Sequence, residues 1–118
     1  MKNIIIILLL ALPTMAFSQT QTEMNMMAAK DYLKADKALN ATYKSVLKKH
    51  AKDVAFIKSI KAAQKAWIVF RDAEMLAKYP HKDEAMYYGS MFGTLWNSDL
   101  ETLTEKRTKE LKEYLREH

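Results

Sequence analysis

The stretch AAQKAWIVFRDAEM, residues 62–75, decides the fold of this chain. Its apolar residues recur at three- and four-residue steps, which predicts a helix. Two adjacent stripes run along this helix: Phe56, Ile60, Ala63, Trp67 and Phe70 form one, and Ile57, Gln64, Ile68, Arg71 and Met75 form the other. Two adjacent stripes make a sector wide enough to contact two further helices. We therefore predict that this helix is the centre of a bundle.

The flanking residues predict where this helix begins and ends. Asp53 is a good N-cap because its carboxylate can accept from free backbone N–H groups at a helix start. Tyr79-Pro80 ends the helix, since proline disfavours a helical residue before it and has no N–H to donate. The helix is therefore predicted over residues 54–78, after a turn at residues 50–52.

Two further helices have the same periodicity. The first is predicted from about Glu23 to Lys49, with the stripe Ala28, Tyr32, Ala35, Leu39, Thr42 and Val46. The last is predicted from Ser90 or Met91 to Arg116, with the stripe Phe92, Trp96, Leu100, Leu103, Arg107, Leu111 and Tyr114. Gly93 near its start predicts a close contact with another helix, because glycine otherwise costs about 1 kcal/mol there. No useful period-two alternation occurs, so the fold class is all-α: a small up-and-down bundle of three main helices.

The amino terminus has the pattern of a secretory signal peptide. Lys2 precedes the apolar run Ile4–Leu12, and Ala16-Phe17-Ser18 offers small residues at the cleavage positions. Nine apolar residues cover only about 13 Å of a ~30 Å hydrocarbon core, so a membrane anchor is not expected. We predict a signal peptide at residues 1–18, a helical domain at residues 19–118, and a periplasmic or secreted location. No membrane span is expected after cleavage.

The composition narrows the function classes. The chain has no cysteine, so neither disulfides nor a lipoprotein anchor is available. Loss of Lys2 with the signal peptide lowers the formal net charge from +5 to +4. Lysines concentrate at residues 44–52 and 58–65, but acidic residues are interspersed through the rest of the chain. Nucleic-acid binding is therefore not expected, while weak attraction to an anionic polymer stays open.

Several blocks of residues resemble one known family. They are Thr20-Gln21-Thr22-Glu23-Met24-Asn25 with Ala28; Tyr32, Ala35-Asp36, Leu39-Asn40 and Tyr43; residues 63–73; Gly89-Ser90; and Leu103-Thr104 with Arg107. In order and spacing, these blocks resemble the lysozyme-inhibitor LprI-like family of small exported bacterial proteins. The resemblance extends over nearly the whole of residues 19–118.

The resemblance also shows a departure. Family members commonly have cysteines where this chain has Met27, Met75 and Asp99. All three cysteines are replaced together in this chain, as expected if they form disulfides in other members of the family. We predict that Met27 and Met75 face each other between the first two helices, where flexible thioethers fill space.

Four polar residues are candidates for structural ties: Asp36, Gln64, Arg71 and Asp72. Polar groups at a helix–helix seam must find partners. We expect Arg71 to pair with Asp36 or Glu23, and Gln64 to bond to a tyrosine hydroxyl. The alternative is that Gln64, Arg71 and Asp72 form a recognition patch.

The connector before the last helix is the candidate partner-binding segment. Its candidate residues are Tyr79, His81, Asp83, Glu84, Tyr87 and Tyr88, with a short helical turn around residues 84–87. Tyrosines presented by a loop make good interface anchors. The alternative is a plain connector whose tyrosines pack onto the end of the bundle.

Metal binding and catalysis have little support in the sequence. The methionines could suit Cu(I), but at helical spacing they are the pattern of a core: Met24, Met26, Met27, Met75, Met86 and Met91. His50, His81 and His118 are scattered. No serine, histidine and carboxylate form a recognisable arrangement, so we expect no metal, no cofactor and no enzymatic activity.

Two functions follow as expectations. The resemblance implies an exported protein that binds a protein partner, as an inhibitor of lysozyme or of a related peptidoglycan-cleaving enzyme. A chain of charge +4 gains no long-range steering toward a basic lysozyme, so Asp83 and Glu84 would have to act locally. The alternative is a structural or interaction module of the cell envelope without inhibitory activity. The oligomeric state stays open.

Overall fold

The computed structural model describes residues 2–116, and the side chains of residues 20–116 apart from that of Ala85. The chain forms α1 (Lys2–Lys49), α2 (Val54–Lys78), the short α3 (Glu84–Tyr88) and α4 (Phe92–Lys112), followed by a 3₁₀ turn at Glu113–Leu115. Residues 2–116 contain no strand, which confirms the all-α class.

Contacts at the two ends of the bundle give the helix directions. Asn25 of α1 bonds to Ser90 beside the start of α4, and Lys49 at the end of α1 donates to the carbonyl of Leu115 beyond the end of α4. The helices α1 and α4 therefore run parallel. On α2, Gln64 bonds to Arg107 and the later Tyr79 bonds to the earlier Asp99, so α2 runs antiparallel to α4. This is the predicted up-and-down arrangement.

The predicted bounds of α2 are confirmed. The carboxylate of Asp53 accepts from the backbone N–H of Phe56 at 3.1 Å, which caps the helix start. Residues 50–52 form the predicted turn, and α2 ends at Lys78 just before Tyr79-Pro80. The helical turn expected around residues 84–87 is α3, and it ends at Gly89, whose φ of 78° favours glycine.

The predicted start of the first helix at Glu23 is wrong. Helix α1 runs without a break from Lys2, so Thr22 and Asn25, which could each cap a helix start, lie inside it. The side chains of residues 1–19 lie outside the described part of the chain, so the signal peptide and its cleavage before Gln19 stay predictions.

The largest buried apolar cluster lies toward one end of the bundle, which we call the turn end. This cluster consists of four buried side chains, those of Leu39, Val46, Ile60 and Leu111. Tyr43, Leu47, Phe56, Trp67 and Leu115 pack against it. His50 also bonds to the carbonyl of Tyr114 at 2.7 Å, so the turn after α1 is fixed to the residues after α4.

The prediction that α2 is the centre of the bundle is wrong. Helices α1 and α4 form the most extensive contact, and α2 packs mainly on α4. Ile60, Gln64 and Met75 are the buried residues of α2. Phe70 and Ile68, at the outer edges of the two predicted stripes, are exposed. One contact region along the boundary between the stripes replaces the two that were expected.

The predicted packing of Met27 against Met75 is also wrong. Met75 is 1% exposed, whereas Met27 is 63% exposed. A side chain that fills space between two helices is covered by both of them. Met75 therefore occupies core space without Met27.

No helix in the described part of the chain is long and apolar enough to cross a membrane.

Candidate functional site

The opposite end of the bundle, which we call the loop end, consists of residues 79–91 and the first turn of α4. Tyr79 is its central ring. It packs edge-on against Tyr88 and Phe92, with ring centroids 5.3 and 5.5 Å away, and lies 5.8 Å from Trp96. Its hydroxyl donates to the carboxylate of Asp99 at 2.5 Å. Burial and this hydrogen bond raise the pKa of Tyr79 to about 12, so the phenol stays neutral.

A second layer of rings is stacked outward from Tyr88. The Tyr88 hydroxyl accepts from the backbone N–H of His81 at 3.2 Å, which ties the start of the loop to the end of α3. The imidazole of His81 stacks on the ring of Tyr87, with centroids 3.6 Å apart and planes 17° from parallel. Tyr87 in turn meets Tyr88 edge-on at 4.9 Å. The outer pair is therefore held in place by the half-buried rings beneath it.

This outer layer is open to solvent. Met86 is 83% exposed and Tyr87 is 63% exposed. Both line a shallow hollow of about 440 Å³, together with His81, Lys82 and Asp83. Exposed apolar and aromatic side chains of this kind mark interaction sites on soluble proteins. The loop end therefore combines a fixed aromatic base with an exposed rim.

Two carboxylates stand beside this rim. Asp83 and Glu84 are both exposed at the start of α3, and the Asp83 carboxylate makes no cap hydrogen bond there. An exposed carboxylate at this position can meet a basic group on a partner without first breaking an internal pair.

Asn25 of α1 fixes α4 at the loop end. Its amide donates to the carbonyl of Ser90 at 3.1 Å, and its oxygen accepts from the hydroxyl of Thr94 and from the amide of Gln21. A Cβ on Gly93 would come within 3.3 Å of the Asn25 side chain, which confirms the close helix contact predicted for this glycine. The positioning role of Asn25 was not foreseen, because Ser90 and Thr94 lie more than 60 residues away in the sequence.

The predicted partner-binding residues occupy two levels of the loop end. Tyr79 and Tyr88 point into the bundle, as the plain-connector alternative expects. His81, Asp83, Glu84 and Tyr87 are exposed together on the rim. The sequence reasoning missed Met86, whose exposure depends on the register of α3, and Lys82, which lies in the loop just before α3.

Gln64 and Arg107 tie α2 to α4. The Gln64 side-chain oxygen accepts from Arg107 Nε at 3.0 Å, and Arg107 Nη1 pairs with Glu110 at 3.1 Å. Gln64 is buried, so the guanidinium takes the place of the tyrosine hydroxyl that was expected as its partner.

The other three predicted ties surround Tyr32. Arg71 pairs with its neighbour Asp72 at 3.0 Å, in place of the expected Asp36 or Glu23, and lies 5.3 Å above the Trp67 ring. Asp36 accepts from the amide of Asn40 at 3.4 Å. Burial raises the pKa of Tyr32, Arg71 lowers it, and the carboxylates of Asp36 and Asp72 raise it. Residues of α1 and α2 therefore share one electrostatic environment here.

A groove of about 530 Å³ between α1 and α4 is the other concave surface of note. Its lining mixes both charge signs, with Asp31, Glu101 and Glu105 beside Lys34 and Lys109. Burial, and then the carboxylates of Glu105 and Asp31, raise the pKa of Glu101. Among the described residues, no three His, Asp or Glu side chains are placed to hold a metal ion.

The fold and the loop end define a small all-α protein with an exposed aromatic and acidic rim between two helices. Residues 14–111 match the family model described as lysozyme inhibitor LprI, so the chain belongs to that family. The family description names an inhibitor rather than an enzyme.

The chain also has a relative of similar sequence. An uncharacterised protein of Rhizobium meliloti (strain 1021) is 35% identical over 108 residues, which cover 81% of this chain and 74% of the relative. No solved structure matches the chain significantly.

Proposed function

We propose that this chain is an exported protein-binding protein and that the loop end is the surface that binds a lysozyme or a related peptidoglycan-cleaving enzyme. Its membership of a family described as lysozyme inhibitors supports a partner of this class. The observation that carries the choice of surface is the exposed stack of His81 on Tyr87.

The stack suits binding because its conformation is already fixed. Ordering a side chain at an interface costs about 0.5–1.5 kcal/mol, and a ring held by its neighbours has less freedom to lose. Tyr87 touches both His81 and Tyr88, while Tyr88 is itself anchored on Phe92. Aromatic side chains in such settings are frequent binding hot spots.

The charges around the stack suit a basic partner locally. Asp83 and Glu84 are exposed next to the rings, whereas the net positive charge of the whole chain gives no long-range attraction. The carboxylates would therefore act locally, where exposed charges fix the orientation and specificity of a complex more than its affinity.

The first experiment titrates the exported product of the full-length chain into a lysozyme lysis assay. We expect inhibition that Tyr87→Ala and Met86→Ala each weaken by roughly tenfold or more, the usual loss at an interface anchor. Val54→Ala is the matched control, since Val54 is an exposed apolar residue at the first position of α2, at the turn end.

Three outcomes separate the parts of this proposal. No inhibition at large molar excess removes the lysozyme target. Inhibition that Tyr87→Ala and Met86→Ala leave intact removes the loop end as the surface. Equal losses in the Val54→Ala control point to unfolding, which circular dichroism of each variant reports directly.

A specific observation favours a second candidate, an interaction module of the cell envelope. The lysines of residues 44–65 are all exposed, in α1 and in the first half of α2. Such a surface attracts anionic polymers with an affinity that falls as salt rises. Capture of envelope components that raised salt does not release would count against this candidate.

A further inference from the structure

Helix α2 has an apolar face that none of the described side chains of residues 20–116 covers. We call it the outer face, and it consists of Ala62, Ala66, Val69, Ala73 and Leu76. All five residues are exposed, Val69 by 67% and Leu76 by 63%. Their successive spacings of four, three, four and three residues are those of a heptad seam, in which one helix packs against another.

The outer face points away from the core. At 3.6 residues per turn each residue advances by ~100°, which places the outer face about 180° from the buried Ile60, Gln64 and Met75. The inner face already holds α2 on α4 through Gln64 and Arg107. The heptad seam is therefore not needed for packing within one chain.

We propose that a second copy of this chain covers the outer face, with the two α2 helices antiparallel about a two-fold axis. Three features favour a second copy in the antiparallel direction. A charge pair forms on one flank of the seam, and large side chains meet small ones across it. A parallel pair of α2 helices would have neither the charge pair nor this matching of sizes.

The charge pair is Lys65 with Asp72. Each directly precedes a residue of the outer face, Ala66 or Ala73, so both lie on the same flank of the seam, and both are exposed. In an antiparallel pair these flanks face each other, so Lys65 meets Asp72 of the second copy, and the two-fold axis repeats the pair. Both contacts of Asp72 with Arg71 use Oδ1, which leaves Oδ2 available to the lysine.

The same register matches side-chain sizes. It sets Val69 against Ala66 of the second copy and Leu76 against Ser59 of the second copy. Phe70, which is exposed beside the seam, falls against Ala63 of the second copy. In the layers of Val69 and Leu76, and at Phe70 beside the seam, a large residue thus meets a small one, the condition for side chains to interlock. A parallel pair would instead set Lys65 against Phe70 and Asp72 against Ala77, with no charge pair.

Sedimentation equilibrium of the exported product of the full-length chain tests the dimer. We expect a monomer–dimer equilibrium in which Val69→Asp raises the dissociation constant by roughly 100-fold, because the symmetry buries the new carboxylate twice. Val54→Asp is the matched control, since Val54 is exposed at the first position of α2, outside the seam. A monomer at every concentration overturns the proposal, as does an equal effect of the two variants.

Cysteine cross-linking tests the direction, and the absence of native cysteines makes it clean. The antiparallel register sets Ala62 against Ala73 of the second copy, while two copies of Ala62 lie about 16 Å apart along the axis. A mixture of Ala62→Cys and Ala73→Cys proteins should therefore form a disulfide that neither forms alone. Self-linking of Ala62→Cys without the mixed product shows a parallel pair and overturns the proposal.

Charge reversal tests the pair. Lys65→Asp and Asp72→Lys should each weaken the dimer by roughly tenfold, because each sets like charges opposite each other twice. The double variant restores the opposite charges and should recover most of the affinity. If the dimer affinity of the double variant falls by the combined losses of the two single variants, this register is ruled out.

Discussion

At the turn end, Leu111 is 0% exposed in an aliphatic cluster shared by three helices, whereas at the loop end the outermost rings stand in solvent on an aromatic base. The turn end is held by buried apolar contact, which has no direction. The loop end is held by hydrogen bonds and ring edges that fix particular orientations. We infer that the turn end supplies most of the stability and that the loop end supplies a preorganised surface.

Leu111→Ala should have the largest effect on the free energy of unfolding. Truncating a fully buried leucine removes apolar contact and leaves a cavity, at a cost of about 2–5 kcal/mol. Urea unfolding followed by circular dichroism measures the change. Leu33→Ala is the control, since Leu33 is 63% exposed and should change stability by less than about 0.5 kcal/mol. Similar losses in both variants would contradict the assignment of the core to the turn end.

Gln64→Leu should rank second. Gln64 lies between the two ends of the molecule, and the change removes the oxygen that accepts the hydrogen bond from Arg107. A largely buried guanidinium N–H is then left unpaired, at a cost of about 1–3 kcal/mol. Glu113→Gln is the control, because the Glu113–Arg116 pair is exposed and such pairs contribute little. A neutral Gln64→Leu would show that this tie does not hold α2 on α4.

The dependence of the free energy of unfolding on high pH tests the contribution of Tyr79 at the loop end. The pKa of Tyr79 is about 12 in the folded chain and near 10 in the unfolded one, so between these values the unfolded state loses its proton first. Stability should therefore be fully present below pH 10 and fall between pH 10 and 12. Tyr79→Phe should reduce this slope. Unfolding curves at fixed pH values compare the two proteins, and identical slopes would mean that Tyr79 is not the group responsible.

Gly93→Ala should give the smallest effect, and its sign should depend on Asn25. Alanine favours a helix over glycine by about 1 kcal/mol, but its Cβ would crowd an Asn25 side chain that Ser90 and Thr94 hold in place. The single variant should be neutral or slightly destabilised. In an Asn25→Ala background the same change should stabilise by about 0.5–1 kcal/mol. Additive effects in this double-mutant cycle would mean that the two residues do not touch.

Local patterns predicted local features well. Asp53 and Tyr79-Pro80 predicted the bounds of α2, because caps and backbone restrictions act within a few residues. The start of α1 was misjudged because a residue able to cap a helix, such as Thr22, is equally able to continue inside one.

Long-range partners could not be read in the same way. Arg71 had several carboxylates within possible reach, and because α2 packs mainly on α4, Arg71 pairs with its neighbour Asp72 and not across to α1. For the candidate surface, sequence supplied the segment and its tyrosines. Which rings turn inward depends on the seating of Tyr79 beside Asp99 on α4, 20 residues away.

The sequence by itself determined that this chain is helical, where α2 lies, and which residues could line its faces, since hydrogen bonding and capping within a helix are local. It also carries the blocks that mark the LprI family. Only the tertiary structure decided which side of AAQKAWIVFRDAEM is buried. Period 3.6 marks an apolar stripe without naming what covers it, and α4 covers the side of Gln64 and Met75 while Val69 and Leu76 stay exposed.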